Sequence, residues 1–349
     1  MFAAARQSEN RNQKSKIPFA PFDMLGISCH NPSPMTTSSA SPTPKTQNAP
    51  GITLRGYILV MVSTMLMSTT AIFIKILLVD YNMEPLSLAF WRVLIVSSAL
   101  ALGLFLFKRA WFKIQRRHLV YFILMGVLGV GLHQLLWVNS VRLNGAGVAT
   151  VLVYIQPTIV ALISVRALGE TFDRNKALAL TLSLIGIVLV AQIYKPETLN
   201  LNLWGLIFGI GTAFTWAAYA LLGRYTAVRY PAWTSLFYAF FFGALFLLPL
   251  QIFAENPLSL GAQWGGWAIL FFLSLGPTLS GFGLYTIGLS QVPASVVTLI
   301  GTLEPVFTIV TAYFLFNERL DTAQIVGAGL ILFSVILLRP KTPTETFDA

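Results

Sequence analysis

The sequence is poor in charged residues, histidine and cysteine. Asp, Glu, Lys and Arg together make up 10% of the 349 residues, there are 3 histidines, and Cys29 is the single cysteine. A soluble domain would carry about a quarter charged residues. Because a disulfide and a cysteine-based zinc site both need more than one cysteine, the sequence excludes them within this chain. It gives no reason to expect a cofactor.

Sequence motifs of several other protein classes are also missing. There is no G-x-x-x-x-G-K-[ST] loop, so this chain is not expected to hydrolyse ATP. There is no His-Glu-x-x-His sequence, and a single acid is predicted deep within a span, which makes an intramembrane enzyme the least favoured class. The net charge of +10 is not accompanied by a basic helix or an Arg-aromatic platform, so no nucleic-acid partner is expected.

Apolar residues make up 56% of the chain and are grouped in blocks. Each block is close to the ~20 residues that a helix needs to cross ~30 Å of hydrocarbon. The sequence therefore predicts an all-α polytopic membrane protein in contact with the lipid bilayer. Its ten candidate spans are residues 57–78, 87–107, 119–141, 146–166, 177–194, 203–224, 233–254, 266–289, 294–315 and 322–338.

The two ends of the chain lack a block of spanning length. Residues 1–54 are rich in Ser, Thr, Pro, Asn and Gln, which predicts a disordered cytoplasmic tail. Its mildly basic start would also fit an organellar transit peptide. Another alternative is an over-long gene start, with Met35 as the true initiator. Residues 340–349 are expected to form a second cytoplasmic tail.

Lys and Arg are distributed unequally between the connections. With the N-terminus inside, the membrane-proximal loops of the other face hold Arg142, Lys195 and Arg319 alone. The remaining membrane-proximal basic residues, from Arg55 to Lys341, then fall on the cytoplasmic face, as the positive-inside rule requires. Both termini are therefore expected in the cytoplasm, with the protein in a bacterial inner (plasma) membrane or, if the tail is a transit peptide, an organellar one.

A polar residue followed by proline occurs twice, at Gln156-Pro157 and at Glu304-Pro305, and each lies within an apolar block. A glutamate follows each pair at the same distance, in Gly169-Glu170 and Asn317-Glu318. The recurrence predicts an internal duplication with a helix break at each proline. Five spans in each copy is an odd number, so the copies would enter the membrane from opposite faces, as inverted repeats do.

These motifs, twice in the same order, resemble the drug/metabolite transporter superfamily, and in particular its EamA-like ten-helix members. Lys75 in the first span, and Pro85 with Arg92 in the second, match further positions of that pattern. Met67 departs from it, because a tryptophan is expected there, whereas Trp216 keeps the tryptophan in the second copy.

The resemblance implies two EamA-like repeats, residues 55–194 and 203–339. It implies a secondary-active transporter, favoured as an exporter, of small metabolites such as amino acids or related amphiphilic compounds. Alternating access between the repeats would move the substrate across a plasma membrane. A passive channel or a non-transporting membrane sensor is the alternative, and the oligomeric state, monomer or homodimer, is open.

Glu304 is the single acid predicted near the centre of a span. A charged carboxylate there costs at least ~2.5 kcal/mol, so it should be protonated, paired or exposed to a wet cavity. Glu304 could couple transport to protons or hold a substrate ammonium group. It could equally be a neutral hydrogen-bond centre at a kink. Gln156, its counterpart, cannot titrate and is better explained as a kink-satisfying amide.

Other polar and aromatic residues are candidates for the wall of a midplane cavity. Taken one at a time, each could instead be an interfacial or packing residue, and His133 could either relay protons or be satisfied by a neighbouring helix. Arg92 could bind a substrate carboxylate or pair with Asp80 or Glu84, while Lys75 is better placed to reach the membrane interface. The predicted cavity residues are Glu304, Gln156, Trp137, His133, Tyr154, Trp216, Tyr219, Tyr285, Arg92 and Lys75.

Overall fold

The computed structural model describes residues 53–195, 202–254, 257, 260–316 and 321–338, and within these ranges the chain is helical with no strand. The predicted all-α architecture is therefore confirmed for this part of the chain. Residues 1–52, the C-terminal tail and Asn317-Glu318 lie outside the described residues.

Fourteen α-helices follow one another along the described chain, and two of them are preceded by a π-helical segment. They are α1 Leu54–Ser68, α2 Thr70–Val79, α3 Pro85–Phe107, α4 Leu119–Gly126, α5 His133–Val153, α6 Gln156–Ala167, α7 Arg174–Val190, α8 Leu203–Ala227, α9 Ala232–Leu247, α10 Trp264–Leu273, α11 Leu279–Gln291, α12 Ala294–Gly301, α13 Glu304–Phe316 and α14 Thr322–Leu337. Some neighbouring helices are joined end to end, so that one apolar span can contain more than one helix.

Eight helical stretches of the described residues are long and apolar enough to cross a membrane. Two of the ten predicted spans form shorter helices, because α7 has 17 residues and α14 has 16. At 1.5 Å per residue these two are about 25 Å long. The eight stretches are Leu54–Val79, Pro85–Phe107, Arg116–Asn144, Val148–Ala167, Leu203–Ala227, Ala232–Phe253, Trp264–Gln291 and Ala294–Thr311.

The chain reverses direction inside α5. A Cβ placed on Gly209 of α8 would lie 2.8 Å from Ser140 Oγ and 2.9 Å from Leu152 Cβ. In a straight helix these two residues would be about 18 Å apart along the axis. Both can approach one glycine only if the chain folds back between them, which places a tight turn between the spans that end at Asn144 and begin at Val148.

Two spans are broken where the sequence predicts a break. Helix α6 starts at Gln156 after a turn at Tyr154, and α13 starts at Glu304 after a turn at Thr302. In each half-helix the proline is the second residue, where its missing N–H leaves no helical hydrogen bond unmade. The polar-proline pairs therefore begin new half-helices.

Two π-helical segments occupy corresponding places in the two halves of the chain. One is Val127–Leu132, directly before α5, and the other is Ser274–Thr278, directly before α11. Single-turn π segments often occur at functional sites, and each changes the direction in which the following side chains point. His133 and Gln134 follow the first segment.

The two halves of the chain are joined by helix pairs, α1 with α11, α5 with α8, α3 with α9 and α7 with α14. Buried hydroxyl groups cross these contacts. Ser63 Oγ donates to the carbonyl oxygen of Gly281 at 2.7 Å, and Ser140 Oγ donates to that of Gly205 at 2.9 Å. Small residues and interhelical hydrogen bonds are the usual basis of helix association in a membrane.

Gly129 allows the closest approach of the first π-helical segment to α8. A Cβ on Gly129 would lie 2.6 Å from Tyr219 Cβ and 3.0 Å from Tyr219 Cα, so Gly129→Ala must push two backbones apart. Overpacking of this kind costs about 1–3 kcal/mol. We expect a Tm several degrees below that of the parent protein in a thermal-unfolding assay on detergent-purified protein.

Gly103→Ala is the matched control for Gly129→Ala. A Cβ on Gly103 of α3 meets no atom within 4 Å, and alanine is favoured over glycine within a helix by up to about 1 kcal/mol. Its Tm should equal or exceed that of the parent. Equal Tm values for the two variants would contradict the close contact at Gly129.

Candidate substrate site

Gln156 and Glu304, the first residues of the two half-helices, line one small cavity, which we call the Glu304 cavity. Its volume is ≈ 20 Å³, which is room for about one water molecule. Four of its lining residues come from the first half of the chain and five come from the second half. The lining consists of Thr64, Met67, Tyr154, Gln156, Trp216, Tyr285, Thr298, Gly301 and Glu304.

The carboxylate of Glu304 contacts the opposite half of the chain. Its Oε2 accepts a hydrogen bond of 3.1 Å from the hydroxyl of Tyr154, which lies in the turn before α6. No Lys, Arg or His of the described residues forms an ion pair with Glu304. The carboxylate thus has one neutral donor and remains able to bind a proton or a cationic group.

Gln156 and Tyr285 leave hydrogen-bonding capacity unused in this cavity. The side chain of Gln156 is 2% exposed and that of Tyr285 is 3% exposed. The Gln156 side chain lies close enough to the Tyr285 hydroxyl to form a weak hydrogen bond. Among the described residues, however, neither Gln156 Nε2 nor the Tyr285 hydroxyl has a partner at normal hydrogen-bond geometry. Buried polar groups are normally paired, so both atoms are suited to a ligand or to water.

Trp216 is the centre of an aromatic cluster beside the cavity. Its ring stacks on Tyr219, with centroids 5.1 Å apart and planes at 15°, and on Tyr285 at 5.9 Å and 29°. Phe282 meets it edge-on at 5.5 Å. An aromatic wall next to a carboxylate could hold an apolar or a cationic group, because ring faces attract both.

A second cavity lies near Trp216, and we call it the Arg92 cavity. The ring of Trp216 is 5.0 Å from that of His133, which lines this second space. The volume of the Arg92 cavity is ≈ 10 Å³. Its lining consists of Arg92, Val93, Gly129, Val130, His133, Gln134, Phe240, Thr278 and Phe282.

Two predicted cavity residues, Trp137 and Tyr219, lie elsewhere, and the side-chain position of a third is not described. Trp137 is half-buried on α5 and lines neither of these cavities. Tyr219 is fully buried behind Trp216, and its hydroxyl lies 3.3 Å from Thr286 Oγ1, which is a packing role. Lys75 lies in α2, and its side chain is outside the described part of the chain.

Several lining residues were missed by the sequence analysis. Thr298 and Gly301 lie six and three residues before Glu304, so their closeness to the break was the signal that could have found them. Thr64 and Thr278 carry no such signal. Neither stands out from the many threonines of the apolar spans.

Glu170 closes one end of the contact between the two halves. Its carboxylate accepts hydrogen bonds from the backbone N–H of Ala294 at 2.6 Å and of Ser295 at 3.2 Å, so it caps α12. Lys176 Nζ lies 3.8 Å away and donates to Ser295 Oγ at 2.9 Å. A carboxylate at a helix N-terminus is stabilising, so Glu170 anchors this end of the broken span.

Comparison with known proteins agrees with this architecture. The family described as "EamA-like transporter family" matches residues 54–192 and again residues 203–339. An uncharacterized transporter of Archaeoglobus fulgidus is 26% identical over 82% of this chain and 97% of its own length. The uncharacterized transporter YyaM of Bacillus subtilis is 26% identical over 72% of this chain and 84% of its own.

A solved crystal structure shares the fold. It has a TM-score of 0.68 at 17% identity and covers 81% of this chain and 96% of its own. That likeness supports the fold alone. The two family matches account for most of the described helices, including both half-helices that form the Glu304 cavity. The chain belongs to the EamA-like transporter family and is a multi-pass membrane protein.

Proposed function

We propose that this protein is a secondary-active exporter of small amphiphilic metabolites, with amino acids and related compounds as the favoured class. The transport site is the Glu304 cavity. One observation carries the proposal: two broken helices meet, through Gln156 and Glu304, at one cavity in which polar atoms lack hydrogen-bond partners among the described residues. Discontinuous helices whose ends meet a midplane site are characteristic of secondary transporters.

The proposed architecture is ten transmembrane helices in two inverted five-helix repeats. The protein lies in a plasma membrane, with both termini in the cytoplasm. The double match of the family to residues 54–192 and 203–339 supports two repeats. The corresponding helix breaks and π-helical segments support an equivalent fold for each. Inverted repeats of this kind give the transporter two faces that can open in turn.

The size of the Glu304 cavity favours a carrier over an open pore. A small-molecule site usually encloses about 300–1,000 Å³, far more than the ≈ 20 Å³ found here. A metabolite can enter only if the two halves move apart. The glutamate anchor at α12 would be one contact that such a movement changes.

Saturable flux is the direct test of this function. We first propose a thermal-shift screen of purified protein against amino acids, amines and sugar phosphates, to choose a ligand. Proteoliposomes loaded with that ligand should then show uptake that saturates and that accelerates when unlabelled ligand is present on the opposite side. Flux that rises linearly with concentration, with no acceleration, would instead establish a passive channel.

Glu304 is proposed to exchange a proton during the transport cycle. It is a carboxylate in a polar cavity with no basic partner among the described residues, so protonation can change the charge of the site. Glu304→Gln keeps the shape and removes that change. We expect its transport rate in proteoliposomes to lose the pH dependence of the parent protein, with normal amounts of protein in the membrane.

Glu84→Gln makes the same chemical change at an acid that lines neither cavity. This control should keep the parent pH profile. If Glu304→Gln also keeps the parent rate and pH profile, proton coupling through Glu304 is wrong and its carboxylate has a structural role at the helix break.

A further inference from the structure

Arg92 is a buried cation with no partner among the described residues. Its side chain is 9% exposed, within the apolar helix α3, and its Nε has no hydrogen-bond acceptor. No ion pair joins Arg92 to an acidic side chain in the described part of the chain. The pairing with Asp80 or Glu84 that the sequence left open is therefore not the arrangement in this structure. An arginine within a membrane is normally paired or faces a functional cavity.

The groups around Arg92 are suited to an anion. Thr278 lines the same cavity, and its buried hydroxyl oxygen also has no hydrogen-bond partner in the described part of the chain. His133 and Gln134 contribute further side chains that can donate hydrogen bonds. No Asp or Glu of the described residues lines this cavity, and the rest of its wall is formed by Val93 and other apolar residues. Several donors without an acceptor of opposite charge make a site that an anionic oxygen would complete.

Arg92 and Glu304 are of opposite charge and do not meet. Trp216 lines the Glu304 cavity and contacts His133 of the Arg92 cavity. Phe282 lines the Arg92 cavity and meets the ring of Trp216 edge-on. The two cavities are therefore neighbours, and the contacting rings of Trp216 and Phe282 belong to their walls. Among the described residues, neither Arg92 nor Glu304 has an ion-pair partner.

We propose that the Arg92 cavity binds the carboxylate group of the transported compound. The substrates are then organic acids. This inference rests on the proposed function, because it names the substrate class of the proposed transporter. The apolar part of the wall, formed by Val93, Val130 and Phe240, suits a branched apolar side chain.

The first test needs no ligand. Arg92→Met removes an unpaired charge and keeps most of the side-chain volume, so the Tm of the purified, ligand-free protein should stay level or rise. Arg224→Met is the matched control, because Arg224 is also buried but donates a hydrogen bond to the carbonyl oxygen of Leu289. Its Tm should fall. A fall for Arg92→Met as large as that for Arg224→Met would mean that Arg92 has a structural role, and would overturn the proposal.

The second test measures binding to the full-length protein by tryptophan fluorescence and thermal shift. The probes are 4-methylpentanoate, leucine, leucinamide, 3-methylbutylamine and sodium chloride. We expect saturable binding of the two acids and weaker binding of the amide and the amine. Arg92→Gln should raise the Kd of both acids about ten- to hundredfold, which is the usual contribution of a charge-assisted hydrogen bond. The Kd of 3-methylbutylamine should be unchanged.

Three outcomes would overturn the carboxylate subsite. They are failure of both acids to bind, equal Kd values for the acids in Arg92→Gln and the parent, and an Arg92-dependent response to chloride alone, which would indicate an inorganic-anion site. The proposed transport function is tested separately. If Arg92→Gln still gives saturable, trans-accelerated flux of an amine and the acids never bind, the carboxylate subsite is wrong but the carrier function is supported. If the parent protein gives no saturable flux for any ligand, the carrier function itself is wrong.

Discussion

The structure depends on the need to satisfy every backbone polar group in a hydrocarbon environment. A helix can be interrupted there only where protein or water supplies the missing partners. The chain interrupts its helices at Gln156 and Glu304, and both breaks face the same small cavity. The proline that follows each residue has no N–H to satisfy, so the break adds no unmet donor at that position. The need to satisfy the backbone thereby brings the side-chain amide of Gln156 and the carboxylate of Glu304 into the same cavity.

The arrangement of charge follows from the same environment. Ionisable groups are costly within a membrane, yet Glu304 and Arg92 are each left without an ion-pair partner among the described residues. If they were adjacent they would neutralise one another and form a structural pair. Instead they line two different cavities, one with Trp216 in its wall and the other with Phe282, and these two rings are in contact.

Much of the fold could be predicted from the sequence, because apolar blocks and proline act locally. The two helix breaks were predicted in this way. Glu304, Tyr154 and Trp216 were only named among ten candidate cavity residues. The rotation of side chains about each helix was not predictable, since a π-helical segment alters it without a clear sequence signal. His133 follows such a segment and lines the Arg92 cavity, whereas Trp137, one turn further on, lines neither cavity. The number of spans, their orientation and the substrate stay predictions.

The most direct measurement is a cryo-electron microscopy structure of the full-length protein with an amine ligand chosen by the binding screen. The account predicts that the Glu304 cavity is wider than its present ≈ 20 Å³ and that the ligand contacts Glu304 and Gln156 beside the Trp216 ring. A ligand held at another place, with the two half-helices still closed over an empty Glu304 cavity, would contradict it.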